Sequence, residues 1–231
     1  MSTRRIVVVT GSRADYGLLS ALMREIRNDP TLELQVIATG AHLSPTFGMT
    51  VREIEGDGFA IAARVVIGLA SDERTAVAAA TGRGVAGLAE ALSRLAPDIV
   101  VLLGDRYEIL AAATAALVLG RPIAHIHGGE ITEGAIDDSI RHAVTKMAHL
   151  HFAAAEPYAR RIVQMGEVPE RVFMVGALGV DAALAHTPLA TEALDRDLGV
   201  PLRDPVLLVT HHPVTLREGD EGSAVNEMLA A

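Results

Sequence analysis

Asp98–Ile99–Val100–Val101–Leu102–Leu103, running into Gly104–Asp105–Arg106–Tyr107–Glu108, is the stretch whose reading decides the fold. An apolar run that stops on a glycine and passes into a charged, helix-forming segment reads as a strand covered on both faces, which is the habit of parallel α/β sheets. In such sheets ligands bind outside the carboxyl ends of the strands, so an acid immediately after that glycine points at any site the sheet carries. Asp105 is therefore the first candidate for chemistry. An aspartate there also suits a helix N-cap, and this residue alone leaves both readings open.

Working outward, the same strand-then-helix unit recurs. Arg5 to Thr10 is strand-like, and the next segment spaces Leu18, Leu19, Leu22, Met23 and Ile26 as one face of a helix. Strands are expected over 32–39, 59–67, 122–126, 150–154 and 172–175, and helices over 49–57, 72–95, 107–119, 137–148 and 157–165. Gly82, Gly84 and Gly87 weaken the middle of the 72–95 helix. Strict β-α order predicts an α/β fold with a doubly wound parallel sheet.

The character changes over 186–204, with Pro188, Pro201 and scattered acids. A first, Rossmann-like domain of residues 1–187 is expected, then a linker and the incomplete start of a second α/β domain over 188–231. That start consists of a strand over 205–210, a His211–His212–Pro213 loop and a helix from Ser223. So short a unit buries too little apolar surface to hold itself together, so the native protein is expected to be longer.

Composition narrows the function. Half of the 231 residues are hydrophobic but only 3% are aromatic, so the core is built from Ala, Val, Leu and Ile. A formal net charge of −9 argues against nucleic acid or an anionic membrane as partner. With no cysteine there is neither a disulfide framework nor a thiolate metal site. The opening Ile6–Val9 run is too short for a secretion signal, and the apolar stretch 109–120 is too short to span a bilayer, so a cytoplasmic location is expected.

Polar clusters fall at four strand ends: Gly11–Tyr16, Gly104–Arg106, His127–Glu130 and His211–His212. Four at one rim point to a site. The first is neither a Walker sequence nor G-x-G-x-x-G, so ATP and NAD both lack their usual fingerprint. Arg13 can pair a phosphate or sugar oxygen, or else form an ion pair with Asp15 or another rim acid. Asp137 and Arg141 share a helix face at i, i+4, while the adjacent Asp138 points elsewhere. One of these two aspartates is expected to serve only as a capped helix start. Asp105, Glu130 and Asp137 together can form a carboxylate set in which crowding raises one pKa and leaves another low, as proton transfer requires. His125 and His127 alternate on one strand and so cannot share an ion, and no H-x-x-x-H pair exists; no metal and no cofactor is expected.

Thr10–Gly17, Gly104–Glu108, His125–Glu130, Ile136–His142 and His211–Thr215, five motifs in order along the whole chain, resemble the hydrolysing UDP-N-acetylglucosamine 2-epimerases of sialic acid and legionaminic acid biosynthesis. The resemblance implies a GT-B-type arrangement of two Rossmann-like domains with a UDP- or GDP-linked sugar between them, in a homodimer or homotetramer. It also implies a reaction: elimination of the nucleotide to a 2-acetamidoglucal, then addition of water to release the 2-epimerised sugar. By position, Asp105 matches a catalytic aspartate, and Asp137, Asp138 and Arg141 match active-site residues. Arg13 matches a ligand-contacting arginine, and His212, with His211 beside it, matches the histidine that opens the second domain. Where relatives have glutamate in His-Ile-Glu-Gly-Gly-Glu, this chain has His127, so either His127 or Glu130 takes over proton transfer, or the substrate differs. A non-hydrolysing epimerase, a GT-B glycosyltransferase and a non-catalytic nucleotide-sugar-binding chain are the rival readings.

Overall fold

The computed structural model describes residues 3–69, 71, 73–210 and 221–230. Seven parallel strands, β1 (Arg4–Thr10), β2 (Leu32–Thr39), β3 (Ile61–Val65), β4 (Ile99–Leu103), β5 (Ile123–Ile126), β6 (Leu150–Ala153) and β7 (Val172–Met174), form one sheet in the order β3-β2-β1-β4-β5-β6-β7. The chain steps outward from β1 in one direction, then returns to β1's other side with β4. That reversal creates a switch point between β1 and β4, the place where ligands sit in open α/β sheets.

Helices cover both faces, as a parallel sheet requires. Side chains alternate along β1: Val7 and Val9 enter the core formed with α3 (Arg74–Leu95), α4 (Tyr107–Val118) and α5 (Ile136–Met147). Ile6 and Val8 enter the opposite core with α1 (Arg13–Asn28) and α2 (Val51–Gly56). This is why the strand sequences read as continuous apolar runs.

The glycines of α3 are contact points. A Cβ at Gly84 would lie 3.0 Å from the Ala111 methyl of α4, and one at Gly87 would lie 2.7 Å from Val65 of β3. The two glycines give up helix propensity in exchange for close approach to α4 and the sheet. Gly82 meets nothing within 4 Å and has no such role.

Beyond β6 come α6 (Glu156–Gln164), α7 (Leu178–Ala185), α8 (Thr191–Leu198) and α9 (Glu221–Ala230). The strand expected over 205–210 does not form: this segment is outside the sheet, with Leu207 84% and Leu208 94% exposed. A parallel strand needs a neighbour to take its backbone N–H and C=O groups, and among the described residues none is alongside. The short helices α7 and α8 occupy stretches that the sequence reading assigned to no element. His211 and His212 lie outside the described residues.

Candidate active site at the carboxyl edge of the sheet

The site forms where the loops after β4 and β5 meet the start of α5. Gly104, at φ 76°, turns the chain off β4, and its N–H donates to the Ile126 carbonyl at 3.0 Å. Its own carbonyl accepts from His125 Nε2 at 2.8 Å. A carbonyl only accepts, so Nε2 carries the proton. His125 is fully buried, and burial holds its pKa down to about 4, so the ring is neutral and Nδ1 is a bare acceptor. The Thr145 hydroxyl stands 3.2 Å from that Nδ1 and 2.9 Å from the Arg141 carbonyl. His125 thus ties the backbone bearing Asp105 to α5, the helix bearing Arg141.

Arg141 reaches across from α5 and its Nη2 forms an ion pair with Asp105 Oδ2. The i, i+4 partner anticipated on its own helix, Asp137, is not the residue it pairs with. The two side chains are only 8% and 19% exposed, so the pair is largely desolvated. Burial raises the Asp105 pKa above the ordinary carboxylate value, Arg141 opposes this, and the charges of Asp137 and then Glu130 push it further up. Asp137 and Glu130 are therefore both within electrostatic reach of Asp105. Arg141 also keeps two buried donors, Nε and Nη1, without a partner among the described residues. Such donors are costly unless an acceptor arrives.

The chain leaves β5 at Ile126, so His127 belongs to the loop and not to the strand that sequence spacing gave it. Its backbone is left-handed, with φ 63°, and its N–H donates to the Phe152 carbonyl at 3.0 Å. Nδ1 meets Glu130 Oε1 at 2.6 Å, while Nε2 is buried with no partner among the described residues. Two glycines make this turn possible. A Cβ on Gly128 would lie 2.9 Å from Thr145 Oγ1, and one on Gly129, at φ 77°, would lie 2.4 Å from the Tyr158 carbonyl. Arg161 of α6 donates to the Gly129 carbonyl and holds the loop from the other side.

Asp138, beside Asp137 in the first turn of α5, is tied to the preceding loop. Its Oδ1 accepts from the Thr132 N–H at 2.8 Å and its Oδ2 lies 3.7 Å from His142 Nε2, fastening the loop to the first turn of α5. Asp15 is part of the turn after β1: Ser12 Oγ accepts the Asp15 N–H at 3.3 Å, and the Asp15 carboxylate accepts the Gly11 N–H at 3.3 Å. Burial raises its pKa, and the nearby Arg106 opposes that rise. Arg13 pairs on the surface with Glu53 of α2 at 3.2 Å, not with Asp15.

Sequence reasoning gave no role to Glu108 and His42. Glu108 is completely buried and takes a two-pronged contact from Arg106, at 3.0 and 3.2 Å. Gly11 and Gly40 make room for it, since a Cβ on Gly40 would lie 2.6 Å from Glu108 Oε1. An acid in the first turn of a helix reads as a partner for the helix dipole, and nothing in its spacing marks it as buried. His42, also fully buried, bridges Thr10 Oγ1 at 2.9 Å and Thr50 Oγ1 at 2.8 Å.

A doubly wound parallel sheet carrying carboxylates and a guanidinium at the carboxyl ends of β4 and β5 defines the class: a Rossmann-like α/β domain with a charged cluster at its rim. The profile of the family described as UDP-N-acetylglucosamine 2-epimerase matches residues 24–231, and the chain belongs to that family. It is 42% identical over 229 residues to the GDP/UDP-N,N'-diacetylbacillosamine 2-epimerase (hydrolyzing) of Campylobacter jejuni, covering 99% of this chain and 59% of that protein. The UDP-N,N'-diacetylbacillosamine 2-epimerase (hydrolyzing) of Legionella pneumophila is 38% identical over 211 residues, covering 91% of this chain and 56% of that protein. The chain thus spans less than two thirds of the length of either relative. Among solved structures, the Neisseria meningitidis UDP-N-acetylglucosamine 2-epimerase bound to its UDP-sugar superposes with a TM-score of 0.69 at 19% identity, over 78% of this chain and 48% of that one. At that identity the likeness concerns the fold.

Proposed function

We propose that this chain provides the catalytic half of a hydrolysing nucleotide-sugar 2-epimerase. The enzyme converts a UDP- or GDP-linked 2-acetamido sugar into the free 2-epimer and the nucleoside diphosphate. The observation that carries the reading is the buried Asp105–Arg141 pair flanked by Asp137 and Glu130, at the carboxyl ends of β4 and β5 in a chain whose relatives are named for this reaction. The C2 proton of a sugar is weakly acidic, and inverting that carbon requires one group to remove a proton and another to return one on the opposite face. Carboxylates in unequal environments, with His127 against Glu130, supply both kinds of group. The unpartnered donors of Arg141 suit an anionic ligand oxygen near the reacting carbon.

In this reading residues 1–187 are the first domain, and 188–231 are a linker and the opening of the nucleotide-binding domain, where His211 and His212 meet the ligand. Arg13, Asp15 and Asp138 are assigned to substrate binding, Asp15 and Asp138 through the loops that they fasten. Nucleotide-linked N,N'-diacetylbacillosamine is the preferred substrate, since both relatives above are named for it. Assembly as a homodimer or homotetramer rests on the family resemblance.

The full-length protein, incubated with UDP-N-acetylglucosamine and separately with UDP-N,N'-diacetylbacillosamine, is expected to release UDP and the free 2-epimerised sugar from at least one of them, as read by proton NMR. A 2-epimer still linked to UDP, or turnover only when an acceptor sugar is supplied, overturns the hydrolysing assignment.

A further inference from the structure

His127 and Glu130 form a unit that the carboxylate cluster does not explain. Glu130 Oε1 lies 2.6 Å from His127 Nδ1, a contact in which a carboxylate accepts and the ring nitrogen must therefore donate. Placing the proton on Nδ1 leaves Nε2 of the neutral ring with its lone pair free. That nitrogen is buried and has no hydrogen-bond partner among the described residues. A buried imidazole nitrogen without a partner is an expense to the fold unless a ligand meets it. The expense is compounded by the backbone, because His127 is held at φ 63°, a region that a side-chain-bearing residue occupies at some cost. The loop is fixed from several sides, by the Phe152 carbonyl at 3.0 Å, by Arg161 on the Gly129 carbonyl and by the packing of Gly128 and Gly129. The ring is therefore presented at the rim by a rigid support, beside the Asp105 end of β4.

We infer that His127 Nε2, with its tautomer set by Glu130, is the base that takes the C2 proton of the nucleotide sugar in the elimination step. This deepens the proposed reaction and rests on it. The C2–H bond breaks and its proton passes to Nε2, while its electron pair forms the C1=C2 double bond. The C1–O bond to the diphosphate breaks as that double bond forms, and its pair departs on the nucleoside diphosphate. The imidazolium so formed is stabilised by the Glu130 carboxylate on its other nitrogen, and Glu130 is a positioning residue. The acids Asp105 and Asp137 are left for the opposite face, where C2 is reprotonated as water adds to C1. A histidine and a carboxylate cluster on two faces give the reaction two chemically different proton carriers.

The test separates the two half-reactions in the full-length protein. His127→Asn keeps a residue that tolerates the left-handed backbone but has no basic nitrogen. It is expected to slow UDP release from the nucleotide sugar at least about 100-fold. The same variant, given UDP and the 2-acetamidoglucal directly, is expected to hydrate the glucal within about threefold of the wild-type rate, since that step starts after the proton has been removed. His127→Glu, which restores a base at the same place, is expected to recover at least about tenfold of the lost UDP release. UDP release by His127→Asn at a near-wild-type rate overturns the assignment, and so does an equal fall in both half-reactions, which is what a mere loop pin would give. A wild-type protein that releases no UDP from any nucleotide sugar contradicts the proposed reaction itself, and is distinct from either result.

Discussion

Asp105 and His125 show how much one strand end can disclose. The place of Asp105 after an apolar run and a glycine is legible in the sequence, because strand ends in parallel sheets face the ligand crevice. Its partner is not: Arg141 was expected to face Asp137, one turn away, but reaches another element instead. Glu108 and His42 were illegible for a related reason. Burial of a polar side chain depends on what surrounds it in space, here Gly11, Gly40, Thr10 and Thr50, and leaves no period in the sequence. These buried groups have a measurable consequence. Burial holds His42 and His125 at pKa values of about 4, whereas in an unfolded chain they titrate near 6.5. Between those limits the unfolded state binds more protons, so stability is full above about pH 6.5 and falls as the pH drops towards 4. Each imidazole contributes on the order of 3 kcal/mol over that window. Asp15 and Asp105, whose pKa values burial raises, act in the opposite sense and reduce the net loss. Thermal denaturation between pH 7.5 and 4.5 is expected to show a falling Tm below about pH 6.5; a Tm that holds level or rises would contradict the neutral, buried state of these rings.

Elements were easier to read than residues, and the failures among them share a cause. The β-α alternation through β7 follows from apolar runs and helical spacing, and each expected strand up to that point forms within a few residues of its expected bounds. The 205–210 run has the same composition as those strands and does not form one, because composition marks a candidate strand whereas a sheet neighbour makes it real. Glycines carry the converse lesson. In α3 they read as helix breakers, yet Gly84 and Gly87 are where the helix meets α4 and β3. In the loop after β5, Gly129 combines φ 77° with a would-be Cβ 2.4 Å from the Tyr158 carbonyl, so neither backbone nor space accepts a methyl. Gly129→Ala is expected to cost about 2 kcal/mol or more in chemical denaturation and to displace the His127–Glu130 loop. A variant of unchanged stability would show that this loop yields more readily than its packing implies.

At the scale of the whole molecule, a seven-stranded sheet with a reversal in strand order brings together residues more than thirty positions apart in sequence, Asp105 and Arg141 among them. The sheet supplies the place, and burial supplies the altered acidity. The measurement that tests this account most directly is a proton NMR time course of the full-length protein and its Asp105→Asn variant in deuterated water, with the nucleotide sugar that the wild type consumes. The wild type should release UDP and a free 2-epimer carrying deuterium at C2. Asp105→Asn, with the wild-type circular dichroism spectrum, should turn over at least about 1000-fold more slowly, since the acid, its pairing with Arg141 and a proton carrier are lost together. Turnover by the variant within a few-fold of wild type, or a product without deuterium at C2, would contradict the placing of proton transfer at this rim.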